Sequence, residues 1–377
     1  MTDIDLHFPQ RNNSSTGCYC LLELPPELFA VMQDGTESNL TVKGRATDDA
    51  VLCTSEKTYN IRSVTLSNAF CVLTSPEGEE SGQTVIRDSI QEIYELVPSI
   101  SKLHRIDGIL KDCEYDEGLE DDDDYRNDRP NKRARYTYSD IKMDVQASDC
   151  ELDRGLREKH VLVVNGELRP ISPSYLTTVL ELLLTTLVSL SQSPDAASAV
   201  DLADALENDH EIRRDISMQV MSWFGELSSE AVKSAMKWKA DIEAIVRQVG
   251  LGILRAHSEP LSQDELLKKW SDAVGDTFET KVSMAHLLGN YLSEPSASTA
   301  SHRITYFPSS RLPLSPAERL SDLFLTRSRW KADDIAPFLA DIAVDNKDRD
   351  KMLMKYARST TDATGVTWYT AKGGVVS

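Results

Sequence analysis

The 377-residue sequence predicts an α+β protein in which a β-rich first third, a small barrel or sandwich, precedes a longer run of helical modules closed by short strands. Three observations point there. Hydrophobicity alternates with period two up to about residue 100, a dense acidic run begins at Asp112, and a 3.6-residue period takes over after His160. At this length, two to four separately cored units are expected, because single cores stop growing near 250 residues.

Cys18 to Leu24 (CYCLLEL), Asn39 to Lys43, Ala50 to Thr54, Lys57 to Leu66 and Ala69 to Thr74 read as short strands. Turn residues separate them: Asp34 and Gly35, Gly44, Asp48 and Asp49, then Ser67 and Asn68. Closely spaced short strands of this kind build small barrels or sandwiches. Thr84 to Pro98 adds a further β segment, and Ser101 to Lys111 a short helix.

From Asp112 to Asp124 nine of thirteen residues are acidic, a density that stays solvated and starts a linker running to about Cys150. Within it lies the basic patch Arg129 to Arg135 (RPNKRAR), whose Lys132, Arg133 and Arg135 fit the short pattern read by nuclear import receptors. The blander reading is a charge-balanced tether, and both can hold together. The run Asp121 to Asp124 reads as part of that tether rather than as a cation site.

Beyond His160, Val161 to Val164 reads as a strand and Asn165 with Gly166 as a turn. Ser172 or Ser174 caps a helix with Leu176, Leu180, Leu183 and Leu187 on its apolar face. Helical patterns follow at Val200 to Leu206, Glu211 to Phe224, Ala231 to Leu254, Ser262 to Trp270 and Val282 to Leu292, and then a strand at Arg303 to Phe307. Helices at Pro316 to Leu325, Ala332 to Ile342 and Lys347 to Ser359, closed by a strand at Val366 to Thr370, give the order of a winged helix.

Charge and missing chemistry narrow the function. A formal net charge of −20 argues against a protein that coats nucleic acid, since Lys and Arg supply most non-specific affinity. From Arg303 onward, however, 12 Lys or Arg face 9 Asp or Glu, so any DNA contact belongs at the C-terminus. There the cations Lys351, Lys355 and Arg358, at i, i+4 and i+7 on one face of the last helix, and Lys372 beyond the last strand, are the candidate contacts. Leu353, Met354 and Ala357 are placed toward the core, while Asp345, Asp348 and Asp350 offer a competing set of ion pairs.

Met1 to Gln10 has neither a basic nor an apolar signal region, and Leu176 to Leu190 is too short and polar to span a bilayer, so no membrane association is expected. No glycine-rich phosphate cradle, hydrolase elbow or paired-histidine metal motif occurs, which implies no cofactor and no catalysis. The six cysteines follow no disulfide or zinc spacing and read as reduced structural thiols; Cys18 and Cys20 read as strand packing.

Several segments in order resemble the DCC-type sister chromatid cohesion family, accessory subunits of the alternative replication factor C clamp loader. They are Leu21 to Leu24 (LLEL), Val51 to Asn68 (VLCTSEKTYNIRSVTLSN), Gly166 to Leu183 (GELRPISPSYLTTVLELL), Leu323 to Ile342 (LFLTRSRWKADDIAPFLADI) and Met352 to Arg358 (MLMKYAR). The resemblance implies a β-barrel-like assembly domain at 1–111, a flexible linker at 112–150, and tandem winged-helix domains at 151–230, 231–308 and 309–377. It further implies a nuclear, non-catalytic subunit. The β domain, through apolar strand residues such as Leu22, Leu24, Val51 and Tyr59, would pair with a small β-barrel partner subunit and the C-terminal tail of the large ATPase subunit. The winged helices would reach the catalytic subunit of polymerase epsilon and single- and double-stranded DNA. A strand-borrowing β domain fits a role without an active site, because open sheet edges are completed by partners. The rival readings are a tandem winged-helix scaffold that binds proteins without DNA contact, and an enzyme for which no pair of catalytic residues presents itself.

Overall fold

The computed structural model describes residues 5–7, 19–35, 40–74, 83–117, 134–229, 236–295 and 301–372. They fall into two units. The first holds the described residues up to Asp112 together with Ala134–Lys159 and Asn165–Leu168. The second holds residues 113–117, His160–Val164 and the described chain from Arg169 onward.

The first unit is organised by two long antiparallel strands, β5 (Thr58–Thr74) and β6 (Gln83–Pro98), paired from Tyr59 and Pro98 to Thr74 and Val85. Two short strands, β1 (Asp5–His7) and β2 (Leu21–Glu23), run parallel to β6 near its two ends. On the other side, β4 (Val51–Cys53) pairs only with Thr58–Asn60 of β5, and β3 (Thr41–Lys43) pairs with β4. The order β1-β6-β5-β4-β3 does not return on itself, so among the described residues the sheet is open and the expected barrel does not close.

The expected break at Ser67 and Asn68 is also absent. One strand runs through them, because Leu66–Ala69 stand opposite the single residue Gln91 as a bulge, and β-favouring residues on both sides carry the ladder past the turn signal.

Helix α1 (Pro26–Gln33) buries Leu28 against Leu52, Tyr59 and Leu96, with Leu22, Leu24, Leu40 and Ile61 packed around this small core. The chain leaves the sheet through α2 (His104–Ile109). Residues 134–150, expected to be linker, instead fold onto this unit as α3 (Tyr138–Asp144) and the start of α4 (Asp149–Glu158). The reasons are local. Thr137 with Asp140, and Ser148 with Glu151, are complete capping boxes, and Ile141, Val145, Ala147 and Leu152 are all fully buried.

Long-range hydrogen bonds fasten the segment. Gln146 donates to the carbonyls of Lys43 (3.2 Å) and Asp49 (2.7 Å), the Lys43 ammonium to the Ala147 carbonyl (2.6 Å), and the Ser148 amide to Thr58 Oγ1 (2.9 Å).

In the second unit one pattern occurs three times: helix, short strand, two helical segments, then two strands. The first copy follows β7 (Val161–Val164) and β8 (Glu167–Pro170). It comprises α5 (Pro173–Ser189), β9 (Ala197–Ser198), α6 (Ala199–His210), α7 (Arg214–Trp223), β10 (Gly225–Ser229) and β11 (Met236–Ala240). The second comprises α8 (Ile242–Ala256), β12 (Leu261–Ser262), α9 (Gln263–Val274), 3-10 turns at Glu279–Lys281 and Met284–Leu287, β13 (Tyr291–Pro295) and β14 (His302–Tyr306). The third comprises α10 (Pro316–Thr326), β15 (Arg329–Lys331) and α11 (Ala332–Ile335) with the 3-10 turn Ala336–Leu339. It is completed by α12 (Asn346–Tyr356), β16 (Ala357–Thr361) and β17 (Thr367–Ala371). The three sheets share one order: β10-β11-β9, β13-β14-β12 and β16-β17-β15, with the last strand central.

The apolar face expected for α5 is present, with Leu176, Leu180, Leu183 and Leu187 at most 1% exposed and Ser172 as N-cap. Each such side chain contributes about 1.5–3 kcal/mol by leaving water.

Three expected helices are corrected. Within 231–254 the helix starts only at Ile242, capped by Asp241, because Met236–Ala240 alternates as a strand with Trp238 inward. The expected boundary at 230/231 therefore falls inside the β10–β11 hairpin, and the first copy extends to Ala240. Within 282–292 there is a 3-10 turn and then β13, and within 347–359 the helix stops at Tyr356, where Ala357 starts β16.

Each copy buries one tryptophan whose indole N–H donates to a helix carbonyl: Trp238 to Met221 (2.8 Å), Trp270 to Val246 (2.7 Å) and Trp330 to Leu323 (2.9 Å). Gly225 is needed beside the first of these, since a Cβ there would lie 2.3 Å from the Lys239 carbonyl and 2.4 Å from the Trp238 indole nitrogen.

His160 is stacked on Phe224, with ring centroids 5.2 Å apart, and tilted against Trp223 at 5.4 Å. Burial, with smaller contributions from Arg255 and Arg247, holds its pKa down to about 4. The unfolded chain therefore takes up the proton more readily, and stability present above pH 6.5 is lost as pH falls toward 4. That loss is on the order of 3 kcal/mol. Denaturant titrations at pH 7 and pH 4.5 should show this acid sensitivity in the wild type and a smaller one in His160→Phe; equal sensitivity would assign it to other groups.

Candidate partner and nucleic-acid surfaces

Two surfaces stand out, one in each unit. In the first unit, every described side chain from Asn60 to Glu95 along β5 and β6 retains solvent exposure. Phe70 and Leu73 are 55% and 48% exposed, and Leu21, Phe29, Met32 and Val42 add further exposed apolar area. Beyond Asn60, the β5 edge opposite β6 pairs with no strand among the described residues. Between β1 and β2 the ladder has only two strands and no fully buried side chain, an arrangement that is marginal in water, and its unpaired edge is a template for another strand.

The four residues expected to form the partner surface lie elsewhere. Val51 and Tyr59 are buried, at 1% and 4% exposure, and Leu22 and Leu24, each partly exposed, pack against the cluster of Leu28, Leu52, Tyr59 and Leu96. The signal that locates the open surface is the long alternating run itself, Ile61 to Thr74, once it is read as one strand.

In the linker, Lys132 and Arg133 lie outside the described residues. Arg135 is an exposed residue paired with Glu167 at 3.0 Å.

In the third copy, the expected helical face is incomplete. Lys351 and Lys355 lie on α12, but Arg358 has already entered β16, opposite Thr370 of β17. Met354, expected inward, is 69% exposed, while Leu353 and Ala357 are buried as expected. Lys355 lies over the Tyr356 ring at 4.9 Å, and the Lys372 ammonium reaches the Lys355 carbonyl at 3.5 Å. Arg349 pairs with Asp350 at 2.9 Å.

Register places a different set together. Arg329 and Arg358 both stand opposite Thr370, and Lys331 and Thr360 both stand opposite Trp368, so these six residues share one face of the β15-β17-β16 sheet. The Arg329 guanidinium lies 4.1 Å and the Lys331 ammonium 5.6 Å from the Trp368 ring centroid. The indole N–H donates to Asp362 at 2.9 Å, and this bond with those from Thr364 and Val366 holds the Asp362 carboxyl far below the usual carboxylate range. The sequence signal was the alternation Arg329, Trp330, Lys331, with Trp330 at 1% exposure between two exposed cations.

Among the described residues no group of three or more His, Cys, Asp or Glu side chains is placed to hold a metal, and no helix is long and apolar enough to cross a membrane.

The sequence profile of the family described as "Sister chromatid cohesion protein Dcc1" matches residues 19–339. The chain is 24% identical to the human protein "Sister chromatid cohesion protein DCC1", covering 97% of this chain and 91% of that one. It is 24% identical to the Saccharomyces cerevisiae protein of the same name, over 94% and 96% of the two chains. It is 22% identical to "Probable sister chromatid cohesion protein DCC1" of Dictyostelium discoideum, over 92% of each.

Proposed function

Because this chain belongs to the Dcc1 sister chromatid cohesion family, we propose that it is a non-catalytic accessory subunit of an alternative replication factor C-type clamp loader, bridging the loader to polymerase epsilon and DNA. The observation that carries this reading is the β5–β6 ladder. Its uncovered faces and open edge suit completion by strands from a small partner subunit and from the tail of the large ATPase subunit. Co-expression tests it directly: the chain should purify as a stoichiometric complex with those two partners, and a chain that stays alone and monodisperse in their presence would refute it.

The three copies in the second unit are read as winged-helix modules spanning Pro173–Ala240, Ile242–Tyr306 and Pro316–Ala371. Helix, strand, helix, helix and a terminal hairpin with the last strand central are the parts that order requires. DNA contact belongs on the third, through Arg329, Lys331 and Arg358 beside Trp368, with Lys351, Lys355 and Lys372 extending the cationic surface. Arg on an aromatic face presents its N–H edges to phosphates and tolerates any sequence.

In anisotropy titrations of the full chain, Arg329→Ala/Lys331→Ala/Arg358→Ala should weaken binding to labelled DNA about tenfold and lower the log–log salt slope by roughly 2. Equal affinities would favour the scaffold reading, in which this module binds protein alone. Lys132, Arg133 and Arg135 are read as a nuclear import patch, consistent with action on chromosomes. A reporter fused to residues 112–150 should enter the nucleus and should stay cytoplasmic when all three are Ala; cytoplasmic retention of the wild-type fusion would leave only a tether.

A further inference from the structure

We propose that Thr360 is a phosphorylation site for an arginine-directed protein kinase, and that its phosphate is captured by the cations of its own sheet face. The modification stands on the geometry of β16, and its consequence for DNA rests on that face touching DNA.

Ser359, Thr360 and Thr361 lie side by side on β16, and all three are exposed. β16 is the outer strand of the β15-β17-β16 sheet, so among the described residues one of its edges pairs with no strand, and it runs straight into the turn at 362–366. A kinase holds its substrate as an extended segment, the form that an exposed edge strand beside a hairpin tip already has. Arg358 stands two positions before Thr360 and three before Thr361, and Lys355 stands five before Thr360. Basic residues at such distances are what arginine-directed kinases read.

Alternation along the strand then separates the three hydroxyls. Ser359 stands opposite Tyr369, which also faces the buried Trp330, and Thr361 shares that side. Thr360 stands opposite Trp368, on the side of Arg329, Lys331 and Arg358. Among the described residues its hydroxyl takes part in no hydrogen bond, whereas the Thr364 hydroxyl is committed to Asp362 at 2.6 Å.

In the modification, Thr360 Oγ1 attacks the γ-phosphorus of ATP held by the kinase. The bond from that phosphorus to the β-phosphate oxygen breaks, ADP leaves, and the hydroxyl proton passes to the kinase's base. The new group carries a charge of about −1.5 to −2 and three acceptor oxygens. Arg358, two residues back on the same face, lies about 7 Å away between Cα atoms, within reach of an arginine and a phosphothreonine. Lys331 approaches from the other side of Trp368. Among the described residues none of Arg329, Lys331 and Arg358 has a carboxylate partner, although the chain holds 61 acids against 41 bases. The opposing charge is Asp362, whose carboxylate already accepts from Thr364, Val366 and Trp368 and would turn the phosphate toward Arg358. A captured phosphate leaves this face little net charge for a nucleic-acid backbone, so phosphorylation closes it without unfolding it.

The full chain is incubated with MgATP and an aurora-type kinase, which selects arginine two positions before its target, and the product is mapped by mass spectrometry. The phosphate should lie on Thr360, vanish in Thr360→Val and fall sharply in Arg358→Ala. Phosphorus NMR reads the capture: the second ionisation of an exposed phosphate lies near about 6, and in the folded chain it should lie about 0.5 or more below its value for the same protein in urea. Lys331→Ala should restore part of that difference. In anisotropy titrations the phosphorylated chain should bind a labelled duplex about tenfold more weakly, with a salt slope lower by roughly 1 to 2. Thr360→Glu should lose part of the affinity, while Thr361→Glu, on the other side of the strand, should bind and melt as the wild type. A phosphate found only on Ser359 or Thr361, or none, would overturn the site, and an ionisation equal to that in urea would overturn the capture. Affinity unchanged by the phosphate but weakened in Arg329→Ala/Lys331→Ala/Arg358→Ala would overturn the switch. If that triple variant also binds as the wild type, the DNA reading is what fails, and the phosphorus measurement still decides the capture.

Discussion

Arg319→Ala is expected to unfold the third copy of the repeat at 37 °C. The Arg319 side chain is fully buried, and its guanidinium donates to the carbonyls of Pro313 (2.7 Å), Phe338 (2.8 Å) and Leu312 (3.3 Å) while both terminal nitrogens meet the Asp341 carboxylate. One side chain thus fastens the 312–313 segment and the Ala336–Leu339 turn to α10. Asp341 is 42% exposed and rehydrates readily, so most of the cost comes from the buried carbonyls left without a donor. Breaking one side of such a pair costs about 3–5 kcal/mol. A module of roughly 60 residues has about 3–9 kcal/mol to lose. Exposure of Trp330, read by fluorescence, and proteolysis beyond Tyr306 would report the unfolding. Arg319→Lys should lose less, and an Arg319→Ala protein with wild-type melting would contradict this account.

The second large effect is on assembly rather than stability. Phe70→Asp/Leu73→Asp alters two exposed residues of β5 and should change the melting of the isolated chain by no more than about 0.5 kcal/mol per substitution. In a completed partner sheet the same side chains would be covered, and losing two anchors at about 2 kcal/mol each weakens association on the order of a thousandfold. Pull-down of the proposed small partner subunit should fail with this variant and succeed with Val163→Asp, an equally exposed change in the second unit. Loss in both, or in neither, would remove β5 from the interface.

Much of this architecture was legible in the sequence, for identifiable reasons. Where one face was buried and caps were strong, as in α5 with Ser172 and its leucine stripe, periodicity alone located the element. It failed where a short strand adjoined a helix. Met236–Ala240 and Ala357–Thr361 carry helix-compatible residues, and only pairing across a hairpin makes them strands. The linker ends well before Cys150, because the capping boxes Thr137–Asp140 and Ser148–Glu151 start two helices and Ile141 is buried, local signals that the charged runs preceding them overshadow in the sequence. The most apolar strand residues, Val51 and Tyr59, do not mark a partner surface, because both are buried within the unit itself. The alternation Arg329, Trp330, Lys331 marks two of the cations of the Trp368 face, but their meeting with Arg358 and Trp368 needs the register, since these residues come together only through strand pairing over some forty residues of sequence.

Hydrogen exchange of the β5–β6 ladder, measured on the chain alone and with the proposed small partner subunit and large-subunit tail, bears most directly on the proposal that this unit is completed by partners. An uncovered ladder opens locally at low free energy, so amides from Val64 to Leu73 should exchange rapidly in the isolated chain while those of Leu176 to Leu187 stay protected. On complex formation the Val64 to Leu73 amides should gain at least about a hundredfold protection, with little change in α5. Strong protection of Val64 to Leu73 already present in the isolated chain, or protection unchanged in the complex, would contradict it.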